Sequence, residues 1–337
     1  MSRPLPLIGA INEALHMAMA ADPTVILLGE DVAGGGGRQD QGIEEAWGGI
    51  MGATKGLIGR FGPTRVRDTP ISEMGFLGAA VGAALTGLRP VAELMFMDFI
   101  GVALDPLLNQ AAKLRYMFGG KARVPLTVRT STGAGLQSAA QHSQSLYNIT
   151  TAIPGLKTVI PSNPADAKGL LLAAIRDDDP VVFCEPKSLI FKTDEVPEED
   201  YEIPLGTAAI ARAGSDVSLV GFGATVDVAL AAAATLAGEG IEAEVLDLRS
   251  LQPLDEAAIL ATLAKTGRLI VVDEATPRCG IASDVAALCV DAGFDSLNAP
   301  VRRVTAPHSP VPFSAVLEAA YRPTAERVVE TVREVLG

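Results

Sequence analysis

A single acidic side chain stands at the start of an otherwise apolar segment of small residues. The stretch Asp68–Phe76 reads DTPISEMGF and continues as LGAAVGAALTGL, with no charged residue between Glu73 and Arg89. One interpretation is structural, because Ser72 or Thr69 could cap a helix whose dipole favours an acid in its first turn. The other is chemical, because apolar surroundings strengthen the hydrogen bond that a carboxylate makes.

Histidine is the second residue type that could do chemistry, and the chain has three. His142 lies among small polar residues in AAQHSQS (139–145), where it is either an acid/base candidate or a surface residue. His16 lies in the amphipathic pattern AINEALHMAMA, which indicates an incidental position. His308, in TAPHSPVPF, follows a proline-pinned turn and could be structural or reach a neighbouring subunit.

Two glycine-rich stretches raise the question of phosphate binding. GGGG at 34–37 is not followed by Gly-Lys-Ser/Thr at P-loop spacing, which favours a mobile loop that runs to Gly56. GFGATVDVA at 221–229 follows a predicted strand and opens a helix, but it lacks the third spaced glycine of a dinucleotide-binding loop. We therefore favour a tight strand-to-helix turn at this position.

Composition and charge limit the class of protein. A chain of 337 residues exceeds the usual size of one hydrophobic core, so two domains are expected. The net charge of −13, without clustered Lys and Arg, argues against a nucleic-acid partner. The apolar run 74–88 is too short for a membrane span, and the start lacks a secretory pattern. We expect a cytoplasmic protein whose three cysteines are buried free thiols.

Short apolar strands that alternate with helices must position these residues. Predicted strands lie at 24–30, 90–96, 125–131, 156–162 and 179–186. Such a pattern is typical of a parallel sheet wrapped by helices. After a polar, proline-bearing stretch, the pattern resumes with strands at 216–223, 242–255 and 268–275. The predicted fold class is α/β, with a domain at 1–190, a linker at 191–205 and a smaller α/β domain at 206–337.

Several long motifs occur in an order that resembles a known family. They are LLGEDV (27–32), RDTPISEMGFLGAAVGAALTGLRPVAELMFMDF (67–99), AAKLRYMFGGK (111–121), AAQHSQS (139–145) and PGLKTVIPSNPADAKGLLLAAIRDDDPVVFCEP (154–186), followed by LDLRSLQPLD and RLIVVDEA. Over nearly its whole length the chain resembles the β chain of the thiamine-diphosphate-dependent first component of 2-oxo acid and acetoin dehydrogenase complexes. The resemblance implies a transketolase-like pyrimidine-binding domain and a smaller C-terminal α/β domain.

This resemblance implies roles for the candidate residues. Glu73 would hydrogen-bond the pyrimidine ring nitrogen of thiamine diphosphate, with Glu30 near the cofactor and Phe99 beneath the pyrimidine ring. His142 would be the acid/base group at the reacting carbon, and it would later serve acyl transfer to a lipoyl group. Asp105 would belong to an acidic relay between two active sites, although this chain has Val102 where some relatives carry another acid.

The resemblance also implies partners and ions. Thiamine enzymes anchor the diphosphate through magnesium with a Gly-Asp-Gly motif, which this sequence lacks. An α subunit is therefore implied, which holds Mg²⁺ and the diphosphate half in an α2β2 heterotetramer. A dihydrolipoamide acetyltransferase, with its lipoyl domain, is implied as acceptor. Some relatives hold a structural potassium ion on backbone carbonyls, and an ordinary acidic turn is the alternative at the matching positions Leu126, Ala174, Ile175, Asp177 and Asp179.

The substrate is predicted from one long segment, residues 34–57, which exceeds the usual link in β chains of pyruvate and branched-chain enzymes. It favours the acetoin branch, in which acetoin is cleaved to acetaldehyde and a two-carbon unit passes to the lipoyl group. The alternative is oxidative decarboxylation of pyruvate or another 2-oxo acid. Two further classes stay open: a nicotinamide oxidoreductase, and a non-catalytic scaffold that docks the acyltransferase through its acidic second domain.

Overall fold

The described residues form two large β-sheets with flanking helices and one two-stranded sheet. The computed structural model describes residues 1–34 and 48–337. The strands of the first part, β1 to β8, are Ser2–Pro6, Val25–Gly29, Val66–Asp68, Arg89–Phe96, Thr127–Thr132, Lys157–Val159, Val181–Pro186 and Thr193–Pro197. Its helices, α1 to α6, are Leu7–Ala21, Leu57–Phe61, Glu73–Leu85, Ala112–Met117, Tyr147–Thr151 and Pro164–Arg176.

The second part begins near residue 206 and contains the remaining elements. Its strands, β9 to β14, are Ala209–Arg212, Val217–Gly221, Ala243–Asp247, Ser250–Gln252, Leu269–Asp273 and Arg302–Thr305. Its helices, α7 to α11, are Thr225–Ala237, Glu256–Thr266, Ile281–Gly293, Ala315–Tyr321 and Ala325–Leu336. Short 3₁₀ turns lie at Met97–Gly101, Lys187–Leu189 and Phe294–Ser296, and a π-helical turn at Pro106–Ala111 precedes α4.

The larger sheet has seven strands in the order β12–β6–β7–β5–β4–β2–β3. All neighbours are parallel except β12, which runs antiparallel to β6. Strands such as β5 and β7 are buried along their whole length, because helices cover both faces of the sheet. This arrangement confirms the predicted α/β class, and every strand predicted from an apolar run contains an observed strand.

The smaller sheet has five strands in the order β14–β13–β10–β11–β9. β9 alone is antiparallel to its neighbour. Apolar residues of the helices α7 and α11 pack on one face of this sheet, through Val226, Ala233, Val328 and Val332. Helix α8 begins and ends at local signals, because the Asp255 side chain caps its start and Gly267 ends it in the left-handed conformation.

The two parts share a hydrophobic core and a strand. One cluster of buried side chains runs from α3 and β4 through Ile160 to Phe222 and Leu248 of the second part. β12 leaves the second part and pairs with β6, with Ser250 opposite Val159. Because β12 crosses between the two parts, the proposed domain limits at residues 190 and 206 stay a prediction.

The segment between the two parts contains a strand that the local pattern did not predict. Residues 191–205 were expected to form an exposed linker, but β8 pairs antiparallel with β1, with Arg3 opposite Val196. A pairing with the start of the chain depends on long-range contacts, which a polar and proline-rich composition does not reveal. Residues 198–206 form no helix or strand.

Asp247 is a buried acid at the junction of the two parts. Its carboxylate accepts hydrogen bonds from Ser162 Oγ and from the backbone N–H of Arg249. Burial raises the pKa of Asp247 to about 7. Between the unfolded pKa of about 4 and this value, the folded chain binds more protons than the unfolded chain, so stability falls as the pH rises. The loss is on the order of 4 kcal/mol across this window.

The wild-type chain should lose stability between pH 5 and pH 8 as Asp247 titrates. Asp247→Asn is therefore expected to lose less stability over the same range. The test is the urea-unfolding midpoint at both pH values, compared between the two chains because other acids contribute their own slopes. Asp295→Asn, a change at an exposed aspartate, should keep the wild-type difference. An unchanged pH dependence in Asp247→Asn would show that this carboxyl titrates normally.

Candidate active site

The residues singled out for chemistry lie at one edge of the larger sheet. The parallel strands β5, β4, β2 and β3 are neighbours in that order, so their carboxyl ends lie side by side. Glu30 directly follows β2, and Glu73 begins α3 shortly after β3. Phe99 lies in the 3₁₀ turn after β4, and His142 lies in the loop after β5. Ligands of parallel sheets bind at this edge, so the topology groups these four residues where a site is expected.

Glu30 and Glu73 form a pair of interacting carboxylates. Burial raises the pKa of Glu30, and the negative charges of Asp31 and Glu73 raise it further. Glu73 is half-buried as the first residue of α3, and the side chain of Ser72 at the N-cap makes no capping hydrogen bond. Two neighbouring carboxyls can offer several hydrogen-bond acceptor positions to one ligand.

His142 is held between two phenylalanine rings. Its ring centroid lies 5.0 Å from that of Phe96 and 5.5 Å from that of Phe99. The two phenylalanine centroids are 5.7 Å apart, and all three contacts are edge-to-face. The structure therefore brings Phe99 and His142 into direct contact and sets the plane of the imidazole.

Lys187 is a functional candidate that the sequence did not reveal. It directly follows β7, is buried, and donates hydrogen bonds to the carbonyl oxygen of His142 and to Ser143 Oγ. Its ammonium lies 5.3 Å from the centroid of the Phe96 ring. Burial lowers the pKa of Lys187. A lysine directly after a buried strand was the available signal, but its partners in a distant loop could not be inferred.

The face of α3 that continues from Glu73 is open. Gly75, Gly78 and Gly82 are exposed, and Met74 is 57% exposed. A Cβ added at Gly78 or Gly82 would meet no described atom within 4 Å. An apolar surface of small residues beside a candidate site marks a contact surface for another chain. Glu73 was expected to lie in apolar surroundings that exclude water, but in this chain it is only half-buried and borders an exposed helix face.

The five carbonyls predicted to hold potassium lie where α6 ends and where β5 and β7 begin: Leu126, Ala174, Ile175, Asp177 and Asp179. The Arg89 guanidinium donates to the carbonyls of Ile175 at 3.3 Å and Asp177 at 2.9 Å. The Leu126 carbonyl accepts from the N–H of Val181 at 2.9 Å. Each of these three carbonyls accepts the hydrogen bond given and has a second lone pair; the potassium site stays a prediction.

Other predicted residues lie away from the carboxylate pair or make local contacts. Asp105 is exposed and accepts a hydrogen bond from Asn109 Nδ2 at 2.6 Å, while Val102 is 59% exposed. His16 contacts the Lys55 carbonyl at 3.3 Å, and burial lowers its pKa. His308 is exposed. In the parts of the chain that the structure describes, no cluster of His, Cys, Asp and Glu could hold a metal ion.

Two predictions about cysteine and glycine have clear outcomes. Cys184 and Cys289 are buried, but Cys279 is exposed, so the expectation of three buried thiols is wrong for Cys279. In the turn before α7, a Cβ on Gly223 would lie 2.7 Å from Ile160 Cδ1. The turn thus packs closely against the first part at Gly223, in keeping with the tight-turn interpretation. Residues 35–47, including most of the GGGG stretch, lie outside the described residues.

The fold and the site define a protein of the transketolase class. Residues 4–192 match the family described as "Transketolase, pyrimidine binding domain", and residues 206–328 match "Transketolase, C-terminal domain". A solved structure titled "Split gene transketolase, inactive beta4 tetramer" has the same fold, with a TM-score of 0.77, 22% identity and coverage of 98% of each chain.

Three curated relatives narrow the class. The "Acetoin:2,6-dichlorophenolindophenol oxidoreductase subunit beta" of Bacillus subtilis is 61% identical, with 100% of this chain and 98% of the relative covered. The protein of the same name from Cupriavidus necator is 54% identical, with the same coverage. The "Pyruvate dehydrogenase E1 component subunit beta" of Bacillus subtilis is 44% identical, with 98% of each chain covered. The chain belongs to the β subunits of the thiamine-diphosphate-dependent first components of acetoin and 2-oxo acid dehydrogenase complexes.

The site residues fit the pyrimidine half of thiamine diphosphate. An aminopyrimidine has ring nitrogens, an amino group and a flat face, which suit the carboxyls of Glu30 and Glu73 and the ring of Phe99. The diphosphate half has no counterpart here, because the sequence lacks Gly-Asp-Gly. The chain therefore offers one half of a cofactor site.

Proposed function

We propose that this chain is the β subunit of an acetoin dehydrogenase that cleaves acetoin and passes the two-carbon unit to a lipoyl group. The observation that carries the proposal is the Glu30–Glu73 carboxyl pair at the carboxyl edge of the larger sheet, beside the open face of α3. The 61% and 54% identities to acetoin-oxidising relatives favour acetoin over pyruvate. The oxidant is the lipoyl disulfide, which is reduced as the two-carbon unit becomes a thioester.

Glu73 and Glu30 would bind and orient the pyrimidine ring. Thiamine diphosphate, when bound, supplies the nucleophilic carbon for cleavage next to a carbonyl. Glu73 would accept the hydrogen bond from the protonated ring nitrogen, and Glu30, whose pKa burial raises, would lie beside it near the cofactor. Phe99 would support the ring from below.

His142 would move protons at the substrate oxygen. Its imidazole is half-buried, in contact with Phe99, and therefore lies beside the proposed ring site. An imidazole can both donate and accept a proton, which suits proton donation to the substrate and later proton uptake during transfer to the lipoyl sulfur. Lys187 donates a hydrogen bond to the backbone carbonyl of His142, which fixes the backbone position from which the imidazole extends.

The partners follow from what the chain lacks. An α subunit would hold Mg²⁺ and the diphosphate, cover the exposed glycines of α3 and complete an α2β2 heterotetramer. The lipoyl domain of a dihydrolipoamide acetyltransferase would then receive the two-carbon unit. We place the enzyme in the cytoplasm; no helix in residues 1–34 or 48–337 is long and apolar enough to cross a bilayer. A structural potassium ion at the five carbonyls and a relay through Asp105 remain predictions for this assembly.

The test is turnover by the chain co-expressed with an α subunit, with magnesium and thiamine diphosphate present and 2,6-dichlorophenolindophenol as electron acceptor. Acetoin and pyruvate are compared at equal concentrations. We expect the kcat/KM for acetoin to exceed that for pyruvate by at least about tenfold, a difference of about 1.4 kcal/mol in transition-state stabilisation. A preference for pyruvate would establish the alternative β subunit of a pyruvate dehydrogenase. Activity with neither substrate, and none with branched 2-oxo acids, would contradict the family assignment of the site.

A further inference from the structure

Two carboxylates of the second part bind the loop that leads to His142. The backbone N–H of Ala134 donates to Glu274 Oε1 at 3.1 Å. The N–H of Gly135 donates to Glu318 Oε1 at 2.9 Å, and that of Gln137 donates to Glu318 Oε2 at 3.0 Å. Within residues 134–137, three backbone N–H groups therefore donate hydrogen bonds to acids of the second part. One acid directly follows β13, and the other lies in α10.

The backbone conformation of this loop is tightly constrained at these contacts. Gly133 has φ +87°, and a Cβ there would lie 2.5 Å from Glu274 Oε2. Gln137 and Ala139 adopt positive φ values of 52° and 58°, which cost free energy for residues other than glycine. A backbone in this conformation persists only when its surroundings hold it.

The far end of the loop is fastened by the first part. Lys187 donates to the carbonyl of His142, and Asp98 Oδ1 accepts from Gln144 Nε2 at 2.9 Å and from the Gln144 N–H at 3.2 Å. The segment 133–144 is therefore anchored at its start by the second part and at its end by the first. His142 lies between the two sets of anchors.

Burying these two acids costs free energy unless hydrogen bonds or opposite charges compensate for their lost hydration. Glu318 is 4% exposed and Glu274 is 9% exposed. A buried carboxylate must recover its lost hydration through hydrogen bonds and charges. Glu274 has a salt bridge to Arg322 Nε at 3.3 Å, and Glu318 recovers hydration through the loop N–H groups. The acids and the loop thus stabilise one defined arrangement together.

We propose that Glu274 and Glu318 are positioning residues for His142, by which the second part sets the place of the acid/base group at the edge of the larger sheet. The inference rests on the proposed role of His142 and extends it. Neither acid touches the reacting atoms; both act through the backbone of 133–137.

The first measurement is hydrogen–deuterium exchange in the assembled α/β enzyme. Glu318→Gln keeps the size of the side chain, but leaves one acceptor oxygen where the carboxylate uses both. We expect the amides of 134–137 to exchange about tenfold faster, since each charge-assisted hydrogen bond resists local opening. Glu334→Gln, at an exposed position on α11, is the matched control and should change no loop amide. Glu274→Gln is the second variant and should act mainly on Ala134.

The second measurement is a double-mutant cycle with His142→Gln, read as kcat and KM for acetoin. Glu318→Gln alone is expected to lower kcat by about 10- to 100-fold with KM within about twofold, because a small misplacement of a catalytic group is costly. In the His142→Gln background it should cost almost nothing more, since residues that act through one group are not additive.

Each outcome separates the inference from the proposed function. Faster loop exchange together with a non-additive loss of kcat supports positioning. Unchanged kcat despite faster exchange, or a full additive loss in the His142→Gln background, overturns the inference and leaves the role of His142 intact. Full activity of His142→Gln itself overturns both the role of His142 and the inference that rests on it. Unchanged exchange in both glutamate variants shows that these acids do not hold the loop.

Discussion

Glu73→Gln is expected to lower the kcat of the assembled α/β enzyme by about 10²- to 10⁴-fold, the range that a lost acid/base contribution spans. Glutamine occupies nearly the same volume, so α3 and its exposed face should be preserved. What it removes is the negative charge that would stabilise a protonated ring nitrogen. The first measurement is kcat with acetoin at saturating thiamine diphosphate. The second is the cofactor affinity, obtained by titrating thiamine diphosphate and following the change in tryptophan fluorescence or in the absorption spectrum.

Glu30→Gln is the matched comparison for this prediction. The two acids are neighbours whose charges interact, but the ring-nitrogen contact is assigned to Glu73, and Glu30 would lie only near the cofactor. We therefore expect Glu30→Gln to cost no more than about tenfold in kcat, well below the loss in Glu73→Gln. Equal losses, or the larger loss at Glu30, would reassign the ring-nitrogen contact to Glu30.

Arg129→Met is expected to lower the free energy of unfolding by about 3–5 kcal/mol, because it leaves buried acids without their cation. Arg129 is only 1% exposed in β5, and its guanidinium contacts Glu93 at 2.7 Å and Glu185 at 2.6 Å. Methionine can fill part of the space but neutralises neither acid. The acids would then hold protons at a raised pKa, so the loss should grow as the pH rises above about 4.

Urea-unfolding midpoints at pH 5 and pH 8 test this expectation. Arg123→Met is the control, since Arg123 is 69% exposed in its salt bridge with Asp178 and should cost less than about 1 kcal/mol. The triple change Arg129→Met, Glu93→Gln and Glu185→Gln should recover part of the loss by removing the uncompensated charges. A loss in Arg129→Met no larger than in Arg123→Met would contradict the structural role of the buried group.

The larger sheet could be predicted because its strands are apolar along their length. Runs such as 24–30 and 179–186 have strand composition whatever their neighbours, and parallel strands place their following residues at one edge. Glu30, Glu73, Phe99 and His142 all follow strands at that edge for this reason. The partial exposure of α3 could not be predicted, because an apolar helix looks the same whether its own chain or another chain covers it.

Contacts between distant segments account for what the sequence did not reveal. Arg129 lies inside an apolar run, and nothing near it in the chain indicates that two acids from other strands surround it. Glu318 belongs to a short C-terminal helix whose local pattern does not point to residues 135–137. The strand β8 is polar and requires β1 to form. Each case depends on the closed fold and not on local propensity.

The strand β12 joins the two parts of the molecule without a covalent bond. It carries the second part into the larger sheet beside β6, and the neighbouring Arg249 binds both carboxylate oxygens of Asp166, at 2.8 Å and 2.9 Å. A single peptide cut within 198–206 would therefore leave two fragments that stay associated, as in fragment complementation. The same pairing opposes hinge opening between the two parts.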